Sequence, residues 1–201
     1  MTCTPVIVGI DEAGRGPLAG PVFAGACVLQ EDMDPGFIRD SKALTPEERE
    51  KAFEWITTHC TYGYGFSDAQ IIDQIGILDS TERAMNQALA MIEKRITPTY
   101  LLIDGRDRFW FNYPNSKVIK GDVTEVCIAA ASIVAKVLRD RLMIEAAEKF
   151  PHYGFDQHKG YGTEEHMSAI EKYGLCELHR KTFVNNGHTA CFKNNTVRSG
   201  G

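Results

Sequence analysis

Three strand-like segments open this chain and restrict its possible folds more than any other feature. Val6–Ile10 and Val22–Leu29 are almost wholly apolar, and residues 60–67 combine aromatic side chains with glycine. Their spacing predicts a meander that begins a sheet. Helical and extended segments alternate further along the chain, which predicts an α/β domain with a mixed central sheet flanked by helices.

The other elements are predicted from capping residues and from the period of the apolar positions. Thr45, Pro46 and Glu48 form a capping box with proline at the first helical position. Apolar residues within Ser80–Arg95 repeat with helical spacing. The predicted helices cover about 46–58, 80–95, 124–149 and 164–173, and two further strands cover residues 100–103 and 118–119.

With 201 residues, 43% of them hydrophobic, the chain is long enough to bury one sizeable core. It contains no apolar run of the roughly 18 residues that a membrane span requires. Its first residues lack the basic segment and cleavage site of a secretion signal, so we expect a cytoplasmic protein. We also expect it to be a monomer. The six cysteines include no CxxC pair, which predicts free thiols rather than a metal or redox site.

The formal net charge of −5 argues against indiscriminate binding to polyanions. The excess of acidic residues lies within residues 1–150, whereas residues 151–201 are close to neutral. Nucleic acid is still compatible with this charge if metal ions offset carboxylates at a binding site. Charge alone therefore does not decide the class of partner.

Two aspartates follow the ends of predicted apolar strands. Asp11 comes directly after VIVGI and Asp104 directly after YLLI, and ligands of open α/β sheets bind at that edge. Glu12 adjoins the first, and Asp122 lies at the mouth of the long helix. Carboxylates gathered in one place repel one another, and a hard cation such as Mg²⁺ relieves the repulsion. Local structure is an alternative, because Asp122 can cap the helix with Glu125 and Asp104 can belong to a turn.

Two glycine-containing stretches are candidate binding loops. In GRGP, Gly14 and Gly16 free the backbone around Arg15 to turn sharply and to approach a ligand. In QHKGYGT, an exposed Tyr161 can stack on a sugar or base, and Lys159 can meet a phosphate. Each stretch taken alone is equally well explained as an ordinary surface loop.

Several motifs taken together resemble bacterial ribonuclease HII, the type 2 ribonuclease H family. The resemblance extends from about residue 6 to residue 183. It is carried, in order, by GIDEAGRGPLAGPV, DSKALT, LLIDG, KGD, IAAASIVAKVLRDR, HKGYGT and HRKTF. It implies an RNase H-like catalytic domain over residues 1–150 and a small helical C-terminal part over residues 151–184 that completes the substrate site. Residues 185–201 are polar and glycine-rich, which predicts a flexible tail.

The resemblance also implies a reaction. It is cleavage of the RNA strand of RNA/DNA hybrids, including 5′ of a single ribonucleotide in duplex DNA, with two Mg²⁺ or Mn²⁺ ions and with 5′-phosphate and 3′-hydroxyl products. The implied catalytic and metal-binding carboxylates are Asp11, Glu12, Asp104 and Asp122. The implied substrate contacts are Gly14, Arg15 and Gly16 at the 2′-hydroxyl, Tyr161 at the following deoxyribose, and Lys42, Lys159 and Arg180. Thr182 stands where most members have serine, so a hydroxyl is retained.

Two other functions are weighed against this one. A metal-dependent nuclease of the same fold, without selectivity for the ribonucleotide junction, would use the same carboxylates. A nucleotide-binding module that uses AGRG as an anion loop is disfavoured, because the chain contains neither GxxxxGK[ST] nor GxGxxG.

Overall fold

A computed structural model of the chain describes residues 5–29, 36–39 and 41–187, apart from the side chains of residues 186 and 187. Within these residues, five strands form one sheet in the order β3-β2-β1-β4-β5. The strands are β1 (Ile7–Ala13), β2 (Val22–Val28), β3 (Thr61–Ser67), β4 (Tyr100–Asp104) and β5 (Asn115–Val118). The helices are α1 (Pro46–His59), α2 (Ala69–Ile75), α3 (Ile77–Glu93), α4 (Gly121–Thr124), α5 (Val126–Lys149), α6 (Phe155–His158), α7 (Glu164–Tyr173) and α8 (Lys181–Gly187).

The sheet is mixed, as the sequence predicts. Strands β1, β2 and β3 form an antiparallel meander. Strand β4 then pairs in parallel with β1, and β5 pairs in parallel with β4. Helices cover both faces, so the predicted architecture of a mixed central sheet flanked by helices is confirmed.

Helix α5 lies directly on the sheet because glycines leave room for its backbone. A Cβ atom on Gly9 would lie 2.3 Å from the carbonyl carbon of Cys127, and one on Gly25 would lie 2.1 Å from the carbonyl oxygen of Ala131. No side chain fits in such a gap. Two glycines of β3 allow α3 an equally close approach on the opposite face. The strand-to-helix distance is therefore set by residues that have no side chain.

Apolar side chains fill the space on both faces of the sheet. Val8 and Ile10 of β1 alternate with Gly9 and pack with buried residues of α3 such as Met85. The opposite face is filled by small residues of α5 and by α1, whose Ile56 is completely buried. Because burial stabilises by about 25 cal/mol per Å² of apolar surface, these two layers hold the sheet between its helices.

The chain after α5 forms a third apolar cluster. Phe155 of α6 is completely buried there, together with Leu18 and Met143. The backbone N–H of Leu18 also donates to the carbonyl oxygen of Gly160 at 2.8 Å. The division into domains at residue 150 stays a prediction. Residues 185–187 of the predicted tail belong to α8, and its remaining residues lie outside the described part of the chain.

The capping box that opens α1 is confirmed. The Thr45 hydroxyl accepts a hydrogen bond from the N–H of Glu48 at 3.2 Å, and the Glu48 carboxylate accepts one from the N–H of Thr45 at 2.8 Å. Thr163 likewise accepts from the N–H of His166 at the start of α7. Both helices therefore begin where the sequence predicts.

Strand β1 is longer than predicted. It continues through Asp11 and Glu12 to Ala13, because these residues keep pairing with β2 after the pairing of β1 with β4 has ended at Ile10. The two acids therefore belong to the strand rather than following it. Strand β5 ends at Val118 instead of beginning there.

The helix predicted over about 124–149 is confirmed as α5, which begins at Val126 after the separate short helix α4, and the alternative capping box of Asp122 with Glu125 is wrong. Asp122 lies inside the short helix α4, and Glu125 precedes α5 without a side-chain capping bond. The carboxylate of Asp122 is instead held by Lys42. The short helices α2, α6 and α8 were not predicted, because seven residues or fewer give too few repeats of an apolar pattern.

Four of the cysteines are free thiols, as predicted. They are Cys27, Cys60, Cys127 and Cys176, and Cys3 and Cys191 lie outside the described residues. In the part of the chain that the structure describes, no helix combines the length and apolar character needed to cross a bilayer.

We predict that Gly25→Ala destabilises the fold by about 1–3 kcal/mol, the usual cost of overpacking a core. The new methyl group would meet the Ala131 carbonyl of α5, and a backbone atom cannot move aside as the end of a side chain can. Urea denaturation followed by circular dichroism measures the change in the free energy of unfolding.

Gly16→Ala is the matched control. A Cβ atom there would have the Tyr161 ring as its nearest neighbour, at 3.8 Å, and Gly16 has no positive φ. We expect its free energy of unfolding to stay within about 0.5 kcal/mol of the original. Equal stability of the two variants would contradict the close packing of α5 on β2.

Candidate active site

A cleft opens where β1 and β4 separate. The last paired residues of the two strands are Ile10 and Ile103, and Asp11 and Asp104 come directly after them. Because the strands are parallel, their carboxyl ends present both aspartates at one edge of the sheet. The cleft has a volume of about 390 Å³. It is lined by Asp11, Glu12, Ala13, Gly14, Arg15, Gly16, Ser41, Lys42, Asp104, Ser132, Lys136, Arg139 and Tyr161.

Asp11 lies on the inner wall of the cleft with only 5% of its surface exposed. Its Oδ1 accepts a hydrogen bond from the N–H of Glu12 at 2.7 Å, and Ser132 of α5 bonds the same carboxylate. Ser41 lies 2.9 Å from the Ser132 hydroxyl. Because a carboxylate only accepts, Ser132 donates to Asp11 and Ser41 donates to Ser132. These bonds orient the carboxylate without neutralising it.

Burial and mutual repulsion disfavour negative charge on three of the carboxylates. Burial raises the pKa of Asp11 well above its usual range, and Glu12 and Asp104 raise it further. Burial also raises the pKa of Glu12, against the opposing effect of Arg15. The pKa of Asp104 is raised by burial and by repulsion from Asp122. A cation bound among these groups would favour their charged forms.

Arg15 bridges two carboxylates at the rim of the cleft. Its Nη1 donates to Glu12 Oε1 at 3.2 Å and to Asp107 Oδ2 at 2.7 Å. Asp107 belongs to the segment that follows β4, so the bridge joins the two sides of the cleft. All three side chains are partly exposed, and solvent screening limits what such pairs contribute to stability.

Asp122 lies beside the cleft rather than in its lining. The N–H of Gly121 donates to Asp104 Oδ1 at 2.7 Å, which places α4 against the end of β4. Lys42 Nζ lies 3.3 Å from Asp122 Oδ2. All four predicted carboxylates thus lie in one region. Within the described residues, however, no three of them already stand as a complete set of metal ligands.

Two buried arginines hold the glycine loop, which we define as residues 14–21. Arg180 is completely buried. It donates to the carbonyl oxygens of Gly14 at 2.6 Å, Arg15 at 2.9 Å and Gly20 at 2.9 Å. The sequence-based expectation that Arg180 contacts the substrate does not fit this burial, because its guanidinium points at the loop from behind.

Arg139 of α5 holds the other side of the glycine loop. It is 1% exposed and donates to the carbonyl oxygens of Pro21 at 3.0 Å and Lys159 at 2.9 Å. A Cβ atom on Gly14, whose φ is +92°, would lie 2.0 Å from Arg139 Nε. Only glycine therefore allows the loop to lie on this guanidinium.

Lys159 does not line the cleft. Its ammonium donates to the carbonyl oxygen of Asp156, and it lies in a neighbouring groove of about 430 Å³ between α1 and α5. The expected phosphate contact of Lys159 is therefore not within reach of the carboxylates. Lys136 lines both the cleft and this groove.

Tyr161 faces the glycine loop across the cleft. Its side chain is 46% exposed, its ring is the nearest group to Gly16, and the Arg139 guanidinium lies 5.9 Å from the ring centre. The structure thus brings Tyr161 to the same cleft as Gly14, Arg15, Gly16 and Lys42, as the sequence suggests.

Thr182 uses its hydroxyl at the start of α8. The Thr182 hydroxyl and N–H both donate to Asp73 Oδ1, at 2.6 and 2.9 Å. A serine hydroxyl would make the same contacts, so the substitution leaves this junction intact.

Sequence patterns did not identify Ser132, Lys136 and Arg139 as cleft residues. All three interrupt the apolar stretch of α5 at spacings of four and three, which places them on one face of the helix. Polar residues on one face of an otherwise apolar helix could have indicated that this face borders a polar cleft. Ser41, by contrast, lies in a loop, where no periodic pattern could have indicated its place in the cleft.

The donors of the cleft fit a hard divalent cation. Asp11, Glu12 and Asp104 present carboxylate oxygens, the ligand type that Mg²⁺ and Mn²⁺ prefer. Histidine and cysteine, which softer metals favour, are absent from the lining of the cleft as far as the structure describes it. Neither Asp11 nor Asp104 has an ion-pair partner among the described residues.

Known proteins share this sequence and architecture. The ribonuclease HII family matches residues 8–186. A ribonuclease HII of Geotalea uraniireducens (strain Rf4) is 50% identical over 178 residues, which are 88% of this chain and 82% of that protein. The ribonuclease H2 structure from Pyrococcus horikoshii OT3 has a TM-score of 0.73 at 25% identity, covering 94% of this chain and 99% of that one.

A second solved structure shows the same fold at lower identity. Bst-RNase HIII in complex with Mn²⁺ has a TM-score of 0.72 at 16% identity, covering 94% of this chain and 70% of that one. The mixed sheet is therefore that of the RNase H-like fold. With the family match over nearly all described residues and a relative at 50% identity, the chain belongs to the ribonuclease HII family of ribonuclease H enzymes.

Proposed function

We propose that this chain cleaves the RNA strand of RNA/DNA hybrids and nicks duplex DNA 5′ of single embedded ribonucleotides, leaving 5′-phosphate and 3′-hydroxyl ends. The observation that carries the proposal is the cleft, where buried carboxylates lie beside a glycine loop and an exposed tyrosine. RNA and DNA differ at the 2′-hydroxyl. A nuclease that acts at a ribonucleotide needs groups that contact this hydroxyl next to its hydrolytic site.

The four carboxylates would hold two divalent ions, either Mg²⁺ or Mn²⁺. Ions bound there supply Lewis-acid activation of a water and stabilisation of the departing 3′ oxygen. The raised pKa values of Asp11, Glu12 and Asp104 support this role, because each group gains from a nearby positive charge. The Mn²⁺ complex of Bst-RNase HIII supports it from a protein of the same fold.

The protein's own residues orient these groups. Ser132 and Ser41 fix the Asp11 carboxylate through a chain of two hydrogen bonds, so its oxygens are directed before a substrate arrives. Lys42 lines the cleft next to Asp122, and its side chain is 79% exposed. Its ammonium is therefore placed to meet a phosphate that enters the cleft.

The glycine loop is the part of the cleft that would contact the ribose. Arg180 holds the carbonyl groups of Gly14 and Arg15 from behind, which leaves the opposite face of the loop toward the cleft. The N–H groups of Arg15 and Gly16 have no acceptor among the described residues. They can therefore donate to a 2′-hydroxyl, which is both a donor and an acceptor.

A nuclease of the same fold without junction selectivity is the alternative. It would need the carboxylates but not the pairing of Tyr161 with the glycine loop. Because Tyr161 stands opposite Gly16, a ribose held by the loop would place the next sugar against the tyrosine ring. This geometry favours selectivity for an RNA–DNA junction.

The first prediction concerns one hydroxyl group. A DNA duplex with a single ribonucleotide should be nicked on its 5′ side in the presence of Mg²⁺ or Mn²⁺, and the identical all-DNA duplex should stay intact. A chelator should abolish the nick, because the carboxylates alone supply no Lewis acid. Gel electrophoresis of end-labelled strands identifies the position. Equal cleavage of both duplexes, or cleavage in the chelator, would refute the proposal.

The second prediction concerns Asp11. Asp11→Asn keeps the size of the side chain but removes its charge, so kcat should fall by at least about 10²-fold, as when one group that stabilises developing charge is lost. Binding of the duplex, measured by fluorescence anisotropy, should change little. Asp79→Asn, at an exposed position of α3, is the control and should retain full activity. An active Asp11→Asn enzyme would exclude the role given to Asp11.

The third prediction concerns Tyr161. We define the junction ratio as kcat/KM on the single-ribonucleotide duplex divided by kcat/KM on a uniform RNA/DNA hybrid. Tyr161→Ala should lower this ratio by roughly tenfold, because stacking on an aromatic ring contributes about 1–3 kcal/mol, whereas Tyr161→Phe keeps the ring and should preserve it. An unchanged ratio in Tyr161→Ala would favour the alternative without junction selectivity.

A further inference from the structure

Three histidines lie together beneath Tyr161, and the proposed reaction uses none of them. His166 of α7 is completely buried, and His179, which precedes α8, is 2% exposed. The ring of His158, at the end of α6, stacks on that of His166 with centres 4.4 Å apart. The cluster fills the space between the turn that carries Tyr161 and the segment that leads to α8.

Hydrogen bonds determine which nitrogen of His179 and His166 carries the proton. The N–H of Cys176 donates to His179 Nδ1 at 2.9 Å, whereas the Cys176 carbonyl oxygen lies farther from that nitrogen, at 3.3 Å. The shorter contact makes Nδ1 an acceptor, so neutral His179 carries its proton on Nε2. His179 Nε2 lies 3.1 Å from His166 Nε2, and His166 therefore accepts there. The proton of His166 is then on Nδ1, which donates to the carbonyl oxygen of Tyr161 at 2.8 Å.

The donor-to-acceptor direction of this series of hydrogen bonds is consistent at both ends. It begins at a backbone N–H, which only donates, and it ends at a backbone carbonyl, which only accepts. Burial lowers the pKa of His166 to about 4 and also lowers that of His179. Both rings are therefore neutral near pH 7, and each has one donor and one acceptor.

His158 fixes the turn from its other side. Its Nδ1 accepts from the N–H of Gly160 at 3.1 Å, and its Nε2 donates to the carbonyl oxygen of Tyr153 at 2.6 Å. The turn needs this support, because Lys159 and Gly160 have φ values of +51° and +85°. A left-handed conformation is unfavourable for a side chain such as lysine unless neighbouring contacts hold it.

We propose that the histidine network of His158, His166 and His179 is a positioning device that sets the ring of Tyr161 against the glycine loop and thereby determines the preference for an RNA–DNA junction. The inference rests on the function proposed above for Tyr161. The network reaches Tyr161 only through its backbone. It therefore acts on the direction of the ring rather than on the substrate.

Two amide substitutions at His166 separate the bonds of the network. In His166→Asn, the amide nitrogen takes the place of Nδ1 and can still donate to the Tyr161 carbonyl. In His166→Gln, the amide oxygen takes the place of Nε2 and can accept from His179, but the bond to Tyr161 is lost. The two variants lose one contact each and remain polar at the same buried position.

The experiment measures the junction ratio of both variants. His166→Gln should lower it by roughly three- to tenfold, the usual effect of losing one hydrogen bond, while cleavage of the uniform hybrid stays within about twofold. His166→Asn should keep the ratio within about twofold of the original enzyme. His152→Phe is the control, because His152 is exposed and stacks on Tyr173 away from the turn.

Equal ratios in the two variants would overturn the proposal, whether both fall or neither does. A parallel loss on both substrates in His166→Gln would also overturn it, because that is the signature of a purely structural role. If both variants fail to fold, His158→Gln, which retains a donor toward the Tyr153 carbonyl and loses the acceptor for the Gly160 N–H, is measured in the same way. It should lower the junction ratio by roughly three- to tenfold while cleavage of the uniform hybrid stays within about twofold, and an unchanged ratio or a parallel loss on both substrates would overturn the proposal.

A measurement that does not depend on activity separates this inference from the proposed function. Histidine ¹⁵N–¹H correlation spectra should show protons on Nε2 of His158 and His179 and on Nδ1 of His166. Other tautomers would overturn the network whatever the enzyme does. The expected tautomers together with an unchanged ratio in Tyr161→Ala would instead refute the function proposed for Tyr161.

Discussion

The contact between the backbone of α5 and the glycines of β1 and β2 is the constraint on which the site depends. Gly25 pairs with Asp11 across the two strands, and it is also the point where α5 comes closest to the sheet. The same contact brings Ser132 within hydrogen-bonding distance of the Asp11 carboxylate. A side chain at position 25 would push the helix outward and take the serine with it.

Charge is distributed unusually around the cleft. Its carboxylates repel one another on one side, while Arg139 and Arg180 lie buried on the other with only backbone carbonyl groups as hydrogen-bond partners among the described residues. Burial and repulsion from Arg139 lower the pKa of Arg180 to about 9. Holding the glycine loop in this way lowers the stability of the fold, since buried charges without a counter-charge are costly.

Sequence patterns correctly predicted those elements that interactions between residues close in the chain determine. The capping box at Thr45 and the meander depend on neighbours in the chain, and both were predicted. The local alternative for Asp122, a capping box with Glu125, failed because the ion pair of Asp122 with Lys42 spans 80 residues and a local pattern cannot show it. Arg180 was assigned to the substrate for a similar reason, since a motif gives the residue type but not the side of the loop on which it lies.

The support of the glycine loop by Arg180 also has a consequence for the order of folding. Its bond to Gly14 spans 166 positions, and contacts of such separation form late because closing a long loop costs entropy. At a synthesis rate of about 5–20 residues per second, the loop leaves the ribosome on the order of ten seconds before its arginine does. The emerging chain therefore carries the carboxylates of the cleft before the arginine that holds the glycine loop has been made. The shape of this loop is in this sense one of the last features of the cleft to form.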